Sequence, residues 1–356
     1  MCAISTALAV LMVIAESTIG NYGDVEVTIN DDKKLTVQGG KSLLNTLKEQ
    51  KVFIPSACGG RGSCGLCKCK VVDGAGELLP TELPWLTAEE QKQGIRLSCQ
   101  LKVKKNMRLE IDPELLYVRE FKGRVSSIVD LTHDIKQVTV DLLEPDTIEF
   151  KAGQFVQIET PEYDLTDEPV YRAYSVSSVP SDTHHVEMEI RLVPDGICTT
   201  YVHRYLKEGA PITLNGPYGD FHLSTTDKEI IGIAGGSGMA PLKSIAYTMK
   251  ENGSKRRFRY FFGAKSKRDL FLLDAMKQLE TDMPNFSFIP ALSDPAPDDK
   301  WEGETGLITQ VVDRHIEDAS NMEAYLCGSP LMIDACIEVL RKKGMPEASI
   351  FYDKFA

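Results

Sequence analysis

The chain has 356 residues, of which 42% are hydrophobic and 26% charged, and its formal net charge is −12. This length suggests two or three domains, and the balanced composition argues against collagen-like, coiled-coil and disordered classes. The acidic charge argues against a nucleic-acid partner, because no basic patch could neutralise many phosphates. Residues 24–115 hold 14 basic and 13 acidic side chains, so the excess negative charge follows them. We therefore expect a domain boundary near residues 115–120.

The first twenty residues contain an uncharged, mostly aliphatic run from Ala3 to Ala15. As a helix this run spans about 20 Å, short of the ~30 Å hydrocarbon core of a bilayer. No Lys or Arg precedes Lys33, so the basic start of a signal peptide is missing. Three interpretations stay open: a short or truncated membrane anchor, which we favour, a buried or interfacial helix, and a signal peptide or start-site artefact. The first would hold a cytoplasmic protein at the inner membrane.

Residues 24–115 have the pattern of a small α+β domain. Apolar and polar side chains alternate over residues 24–29, as in a half-buried strand, and residues 30–32 predict a turn into a returning strand at 35–37. Leucines at helical spacing then predict a helix over residues 42–50.

The nine cysteines are an odd number, which excludes a complete disulfide framework, and four of them crowd into residues 58–69. The spacing C-x5-C-x2-C-x31-C relates Cys58, Cys64, Cys67 and Cys99. Three thiolates from a tight loop and one from a distant strand can ligate the two irons of a [2Fe–2S] cluster. A structural zinc site is the alternative, but zinc ligands usually come as two C-x2-C pairs. We expect Cys69 to point away from the loop, and positive φ angles at Gly59, Gly60, Gly62 and Gly65.

Short strands separated by turn signals predict an antiparallel β-barrel over residues 120–224. Within it, Arg172, Tyr174 and Ser175 offer a cation for a phosphate, a flat surface for a ring system and a hydroxyl for flavin N5. Residues 196–200 open a predicted helix, whose free N–H groups can hold a pyrophosphate. Residues 216–219, Gly-Pro-Tyr-Gly, predict a tight turn that closes the domain.

Residues 228–356 have the pattern of a parallel α/β domain that binds a nucleotide. A short apolar strand at 228–234 leads into a glycine-rich loop at 235–241 and then a helix to residue 250, an order that places a diphosphate at a helix N-terminus. Further strands at 257–263, 286–290 and 323–326 alternate with predicted helices. Cys327 ends the last of these strands, on the crevice side of such a sheet.

These motifs, in this order, resemble two known families. Residues 24–115 are similar to ferredoxin domains of the plant and adrenodoxin superfamily, which implies a β-grasp fold. The rest resembles the ferredoxin–NADP⁺ reductase superfamily, which implies FAD in the barrel, with Thr199 at its pyrophosphate, and a nicotinamide nucleotide on the sheet. The resemblance also implies that Ser175, Cys327 and Phe355 take part in catalysis: Cys327 lies near the nicotinamide, and the terminal aromatic covers the flavin and moves aside. The cofactor-binding residues implied are Arg172, Ala173, Tyr174, Ser175, Gly196, Thr199, Thr200, Gly235, Gly236, Gly238, Met239, Pro241, Cys327, Gly328 and Phe355.

Almost the whole chain resembles the family of NADH-oxidising F subunits of sodium-translocating NADH:quinone reductases. The shared features are the hydrophobic N-terminus, the cysteine loop, residues 79–83 and 291–295, and the Phe355 tail. The resemblance implies that electrons pass from NADH to FAD, to the [2Fe–2S] cluster and to a partner redox protein or membrane complex. NADH is favoured over NADPH, although Lys265, Lys267 and Arg268 lie where a 2′-phosphate would bind.

Two departures from that family keep other functions open. The N-terminal apolar run is short, and residues 157–172 lack a long insertion. A soluble reductase component of an oxygenase is the main alternative, since it has the same three modules. A reductase for another acceptor, such as a corrinoid protein, is a third possibility. A non-catalytic iron–sulfur sensor is disfavoured, because the flavin and nicotinamide motifs are intact.

Overall fold

The computed structural model describes residues 22–355, so the candidate anchor over residues 1–20 lies outside the described residues. None of the helices in this range is long and apolar enough to cross a membrane. The chain forms two units, which divide between Arg119 and Glu120.

The first unit is a five-stranded sheet, in the order β2-β1-β5-β3-β4, with two short helices. Its elements are β1 (Asp24–Ile29), β2 (Lys33–Gln38), α1 (Leu43–Glu49), β3 (Lys68–Asp73), α2 (Ala88–Lys92), β4 (Ile95–Leu97) and β5 (Met107–Glu110). Strand β1 pairs antiparallel with β2 and parallel with β5. Its alternate residues Val25, Val27 and Ile29 are buried, as the period-2 pattern predicts. The leucines of α1 pack into the same core.

Local signals in the sequence position these elements. Asn30 and Asp31 both have positive φ, the geometry of the tight hairpin turn predicted between β1 and β2. Ser42 begins α1 as its N-cap, because its hydroxyl accepts a hydrogen bond from the N–H of Asn45 at 3.3 Å.

The second unit begins with a six-stranded β-barrel, in the order β10-β7-β6-β11-β8-β9. Its elements are β6 (Arg119–Asp130), β7 (Ile135–Glu144), β8 (Phe155–Thr160), β9 (Val170–Ser175), β10 (His185–Arg191), α3 (Ile197–Arg204) and β11 (Pro211–Tyr218). A bridge between Val176 and Met188 brings the two ends of the sheet together. The prediction of a tight turn at residues 216–219 is wrong in part, because β11 continues through Tyr218. The pairing register between β11 and β8 shifts after Asn215, as it does at a β-bulge.

A parallel six-stranded sheet, in the order β15-β14-β13-β12-β16-β17, completes the second unit. Its elements are β12 (Glu229–Gly235), α4 (Met239–Glu251), β13 (Phe258–Ala264), α5 (Leu273–Asp282), β14 (Phe286–Leu292), β15 (Glu304–Thr305), α6 (Ile308–His315), β16 (Met322–Gly328), α7 (Pro330–Lys342) and β17 (Ile350–Lys354). Helices α4 and α5 cover one face of the sheet, and α6 and α7 cover the other. The strand order reverses beside β12, which places a ligand crevice at its carboxyl end.

Candidate redox centres and nucleotide cleft

The four predicted cluster ligands form two pairs of thiols in the first unit. Cys58 and Cys64 lie 3.4 Å apart, measured between their sulfurs. Cys67 shares a hydrogen bond with Cys99, and the N–H of Ser98 donates to the Cys67 carbonyl at 2.9 Å. In each pair one thiol donates to the other, which lowers the pKa of Cys58 to about 4 and that of Cys99 to about 7. The same hydrogen bonds raise the pKa of the donors, Cys64 and Cys67, so each pair favours one thiolate, the form that ligates metal.

This arrangement suits a binuclear cluster. Within residues 22–355, there is no group of three or more His, Cys, Asp or Glu side chains that could hold a single metal ion. Two thiol pairs match the four-cysteine set of a [2Fe–2S] cluster, in which each iron takes two thiolates. Cys69 is buried in the hydrophobic core, and burial raises its pKa to about 12. The expectation that it points away from the loop stays a prediction.

The cluster loop depends on glycine. Gly59, Gly60, Gly62 and Gly65 all have positive φ, so that prediction is confirmed. Two of them also permit close packing. A Cβ on Gly62 would lie 2.6 Å from the Gln100 side chain, and one on Gly65 would lie 2.8 Å from Trp85. A larger residue at position 62 would push the loop away from the turn that carries Cys99 and Gln100, and one at position 65 would push it away from Trp85.

A buried ion pair supports β4, the strand before Cys99. Cys99 itself lies in the turn after β4, so its expected place on a strand is wrong. Glu82, with no exposed surface, accepts from Arg96 at 2.6–3.1 Å and from the N–H groups of Leu79 and Leu97 at 2.9 Å. Arg96 also donates to the carbonyls of Gly76 and Glu77. Burial opposes ionisation of Glu82, but these donors outweigh it and lower its pKa. The pair ties residues 76–82 to β4, three residues before Cys99.

The predicted flavin residues lie on β9. Arg172 is opposite Ile158 and Tyr174 is opposite Val156 on β8, so Arg172 and Tyr174 share a face, as expected. Ser175 lies on the other face, opposite Phe155. The Tyr174 hydroxyl is buried without a hydrogen-bond partner among the described residues. Such an unpartnered buried hydroxyl beside a cation fits a ligand with a polar edge, such as a flavin nucleotide.

The predicted pyrophosphate turn lies before α3. Gly196 begins this helix, and a Cβ there would come within 2.5 Å of the Thr199 hydroxyl. That hydroxyl accepts from the N–H of Val193 at 3.1 Å, which fixes the turn. Thr200 is buried behind it. The first N–H groups of an α-helix have no acceptor within the helix, and such donors suit a pyrophosphate.

A cleft of about 390 Å³ lies at the carboxyl ends of β12, β13 and β14. Gly235 and Gly236 line it, together with Lys265, Arg268 and Asp269 beyond β13. Asp269 caps its own turn by accepting from the N–H of Ser266 at 2.8 Å. This is the crevice that the strand order predicts, and its size suits part of a dinucleotide.

The other predicted nicotinamide residues lie behind this lining. Gly238 packs against β16: a Cβ there would stand 2.3 Å from the Cys327 carbonyl oxygen. The Cys327 side chain has no exposed surface, and burial raises its pKa well above the usual value. Phe355 is half-buried, and its N–H donates to the Gly328 carbonyl at 2.8 Å. Met239 and Pro241 are buried in the first turn of α4. The roles predicted for these residues stay predictions.

The sequence did not reveal the barrel residues that line the cleft. His133, Asp134 and Arg191 reach it from the barrel, with Arg191 paired to Asp134 at 2.7 Å. They belong to a turn and a strand end with no motif, so only the packing of the barrel against the parallel sheet brings them to the nucleotide site.

Comparison with known families identifies the three modules. The family described as "2Fe-2S iron-sulfur cluster binding domain" matches residues 27–104. "Oxidoreductase FAD-binding domain" matches residues 122–223, and "Oxidoreductase NAD-binding domain" matches residues 233–338.

Relatives that match over nearly their whole length include F subunits of Na⁺-translocating NADH-quinone reductases. The protein of Neisseria gonorrhoeae is 36% identical over 98% of this chain and 96% of its own length. The protein of Actinobacillus succinogenes is 36% identical over 99% of this chain and 96% of its own. The chain belongs to this family of F subunits. It is an NADH-dependent oxidoreductase with FAD and a [2Fe–2S] cluster, which passes electrons onward.

Solved structures similar to this member of the F-subunit family include two reductases. The Amycolatopsis cytochrome P450 reductase GcoB has a TM-score of 0.76 and 25% identity, covering 93% of this chain and 98% of its own. The ferredoxin reductase in carbazole 1,9a-dioxygenase has a TM-score of 0.72 and 25% identity, covering 94% and 99%. The multidomain architecture predicted from the sequence is confirmed.

Proposed function

We propose that this chain is the NADH-oxidising subunit of a membrane-bound quinone reductase, with its redox centres on the cytoplasmic side. The observation that carries the proposal is the match to the F-subunit relatives over nearly the full length of both chains. Two thiol pairs in one unit and a nucleotide cleft in the other supply the two ends of an electron path.

The residues of the second unit would bind and orient the cofactor and substrate. Arg172 would pair with a flavin phosphate, Tyr174 would lie against the ring, and the turn at Thr199 would direct N–H groups to the pyrophosphate. Ser175 would hold its hydroxyl near N5. Bound FAD accepts a hydride and releases electrons singly, and the cluster carries one electron at a time.

Phe355 would close the nicotinamide end of the cleft. The hydrogen bond from the Phe355 N–H to the Gly328 carbonyl holds Phe355 beside the carboxyl end of β16. We expect Phe355 to cover the flavin and to move when NADH binds, with Cys327 beside the nicotinamide. Arg191 and the glycine loop would hold the diphosphate.

The electron path is tested by changing one cysteine of a pair. In the full chain loaded with FAD and iron, Cys64→Ala should abolish the [2Fe–2S] EPR signal while NADH still bleaches the flavin. Cys69→Ala is the matched control: it removes a thiol five residues away that belongs to no pair, and it should retain the signal. If Cys64→Ala keeps the cluster, the ligand assignment is wrong, and if NADH leaves the wild-type flavin oxidised, the proposed function is wrong.

The acceptor needs a separate experiment. The similarity to a cytochrome P450 reductase and to the ferredoxin reductase in carbazole 1,9a-dioxygenase favours a soluble reductase component of an oxygenase as the second candidate. Native membranes and the soluble fraction of the source cells would be assayed for the chain and for NADH:quinone activity that an antibody against it removes. Membrane-bound activity supports the quinone reductase. A chain found only in the soluble fraction, co-purifying with an oxygenase, would replace it with the second candidate.

A further inference from the structure

One buried carboxyl group lies beside the nucleotide site with no assigned role. Glu189, on β10, is 3% exposed, and both of its carboxylate oxygens are enclosed without a hydrogen-bond partner among the described residues. A buried unpaired charge is strongly unfavourable, so such a group stays neutral or serves a function.

The face of β10 that carries Glu189 is directed at the nucleotide-binding layer. Glu187, Glu189 and Arg191 alternate along the strand and so share one face. At one end of this face, Glu187 pairs with Lys243 of α4. At the other end, Arg191 lines the cleft and stands 3.5 Å from where a Cβ of Gly236 would be. Glu189 lies between these two contacts, below the glycine loop and the first turn of α4.

The nearest cation is committed elsewhere. Lys243 pairs with Glu187, whose carboxylate also accepts from Ser177 at 2.6 Å and from Gln137. Arg191, the other cation on this face, pairs with Asp134 at 2.7 Å. The other titratable neighbours are Tyr260 of β13, whose hydroxyl donates to the Met239 sulfur at 3.1 Å, and beyond it Cys327. Neither carries a positive charge. Burial, only partly offset by Lys243 and reinforced by Glu187, raises the pKa of Glu189 to about 8.

We propose that Glu189 is a positioning residue for NADH: its carboxyl must be neutral for the glycine loop to hold the dinucleotide's diphosphate. An ionised Glu189 would place a negative charge in a low-dielectric layer directly below bound phosphates, where charges repel strongly. The inference rests on NADH binding at this loop, which is part of the proposed function. Linkage is reciprocal, so bound dinucleotide must also raise the pH at which Glu189 ionises.

The sign and size of the pH effect follow from one proton. Glu189 is neutral below its folded pKa and ionises as the pH rises through it, so NADH binding weakens on the alkaline side. If only the neutral form binds, KM for NADH rises about tenfold between pH 7 and 9 for a group titrating near 8. The turnover number, measured with ferricyanide as acceptor, should change little, because the chemistry after binding does not use this carboxyl.

The experiment compares KM for NADH across pH in the FAD-loaded full chain. Glu189→Gln, a neutral isostere, should give a flat profile, while Glu149→Gln, which changes an exposed glutamate of the same barrel, should keep the tenfold rise. A Glu189→Gln profile that rises like the wild type, or a wild-type profile that stays flat, overturns the inference. Loss of flavin reduction by NADH at pH 7 in the wild type would instead overturn the proposed function.

Infrared spectroscopy of the unaltered chain covers the case in which Glu189→Gln does not fold. A band from a protonated buried carboxyl should be present at neutral pH, disappear with a midpoint near 8 and shift to higher pH when NAD⁺ is added. Absence of the band at neutral pH, or a midpoint that NAD⁺ leaves unchanged, overturns the inference.

Discussion

Changing Glu82 to Gln tests whether the buried ion pair with Arg96 holds β4, and with it the turn of Cys99, in place. The carboxylate accepts from Arg96 and from two backbone N–H groups, and it has no exposed surface. The glutamine amide keeps one oxygen that can accept hydrogen bonds. Its NH₂ group replaces the other oxygen and is itself a donor, so the Arg96 or backbone N–H groups that faced that oxygen lose their acceptor. One charge of the pair then remains buried without compensation.

The expected effect is large relative to the stability of a small unit. Removing one partner of a buried ion pair costs about 3–5 kcal/mol, against a typical total of 5–15 kcal/mol. At about 1.4 kcal/mol per factor of ten, 3 kcal/mol corresponds to cluster loss roughly 100-fold faster in mild denaturant. Replacing both partners by apolar residues, as in Glu82→Leu with Arg96→Met, should lower the free energy of unfolding by less than the two single changes do together. We expect this difference to be about 3 kcal/mol.

Two probes separate the two units in this assay. The visible absorbance of the [2Fe–2S] cluster reports the first unit, and flavin fluorescence reports the second. Glu82→Gln should accelerate bleaching of the cluster and leave the release of flavin at the wild-type rate. Wild-type bleaching in Glu82→Gln, or strictly additive effects in the double variant, would refute the argument that this pair positions β4 and the turn of Cys99 that follows it.

Two further predictions concern the second unit. Gly238→Ala should destabilise the unit by about 1–3 kcal/mol and raise KM for NADH, because the new Cβ would lie 2.3 Å from the Cys327 carbonyl oxygen. Thermal unfolding and steady-state kinetics measure these effects, and an unchanged melting temperature and KM would contradict the prediction. Arg172→Ala should weaken FAD binding by roughly 10- to 150-fold, which corresponds to the loss of one charge-assisted hydrogen bond. Arg204→Ala, at the exposed end of α3, is the control and should leave the affinity unchanged. Equal affinities of the two variants in a flavin titration would count against the role assigned to Arg172.

The sequence predicted the features that local chemistry dictates. The positive φ angles of the cluster glycines and the alternation of strands and helices after residue 228 follow from short-range constraints. The ion pair of Glu82 and Arg96 could not be predicted, because residues 79–83 show a charged side chain in a loop, a pattern usually typical of the surface. Glu189 was missed for a related reason: alternating glutamates on a strand indicate a solvated face, and only the packing of the parallel sheet against the barrel buries it.

The two thiol pairs draw on very different stretches of chain. Cys58 and Cys64 are close in sequence, whereas Cys67 and Cys99 are separated by 31 residues. A cluster bound to both pairs would therefore close this long segment into a ring, as a disulfide does. In the chain-entropy treatment, a ring of this length restricts the unfolded chain by the equivalent of about 4 kcal/mol. Iron would thus hold the first unit together as well as carry electrons, and scarcity of iron would shorten the lifetime of this unit as well as interrupt electron flow.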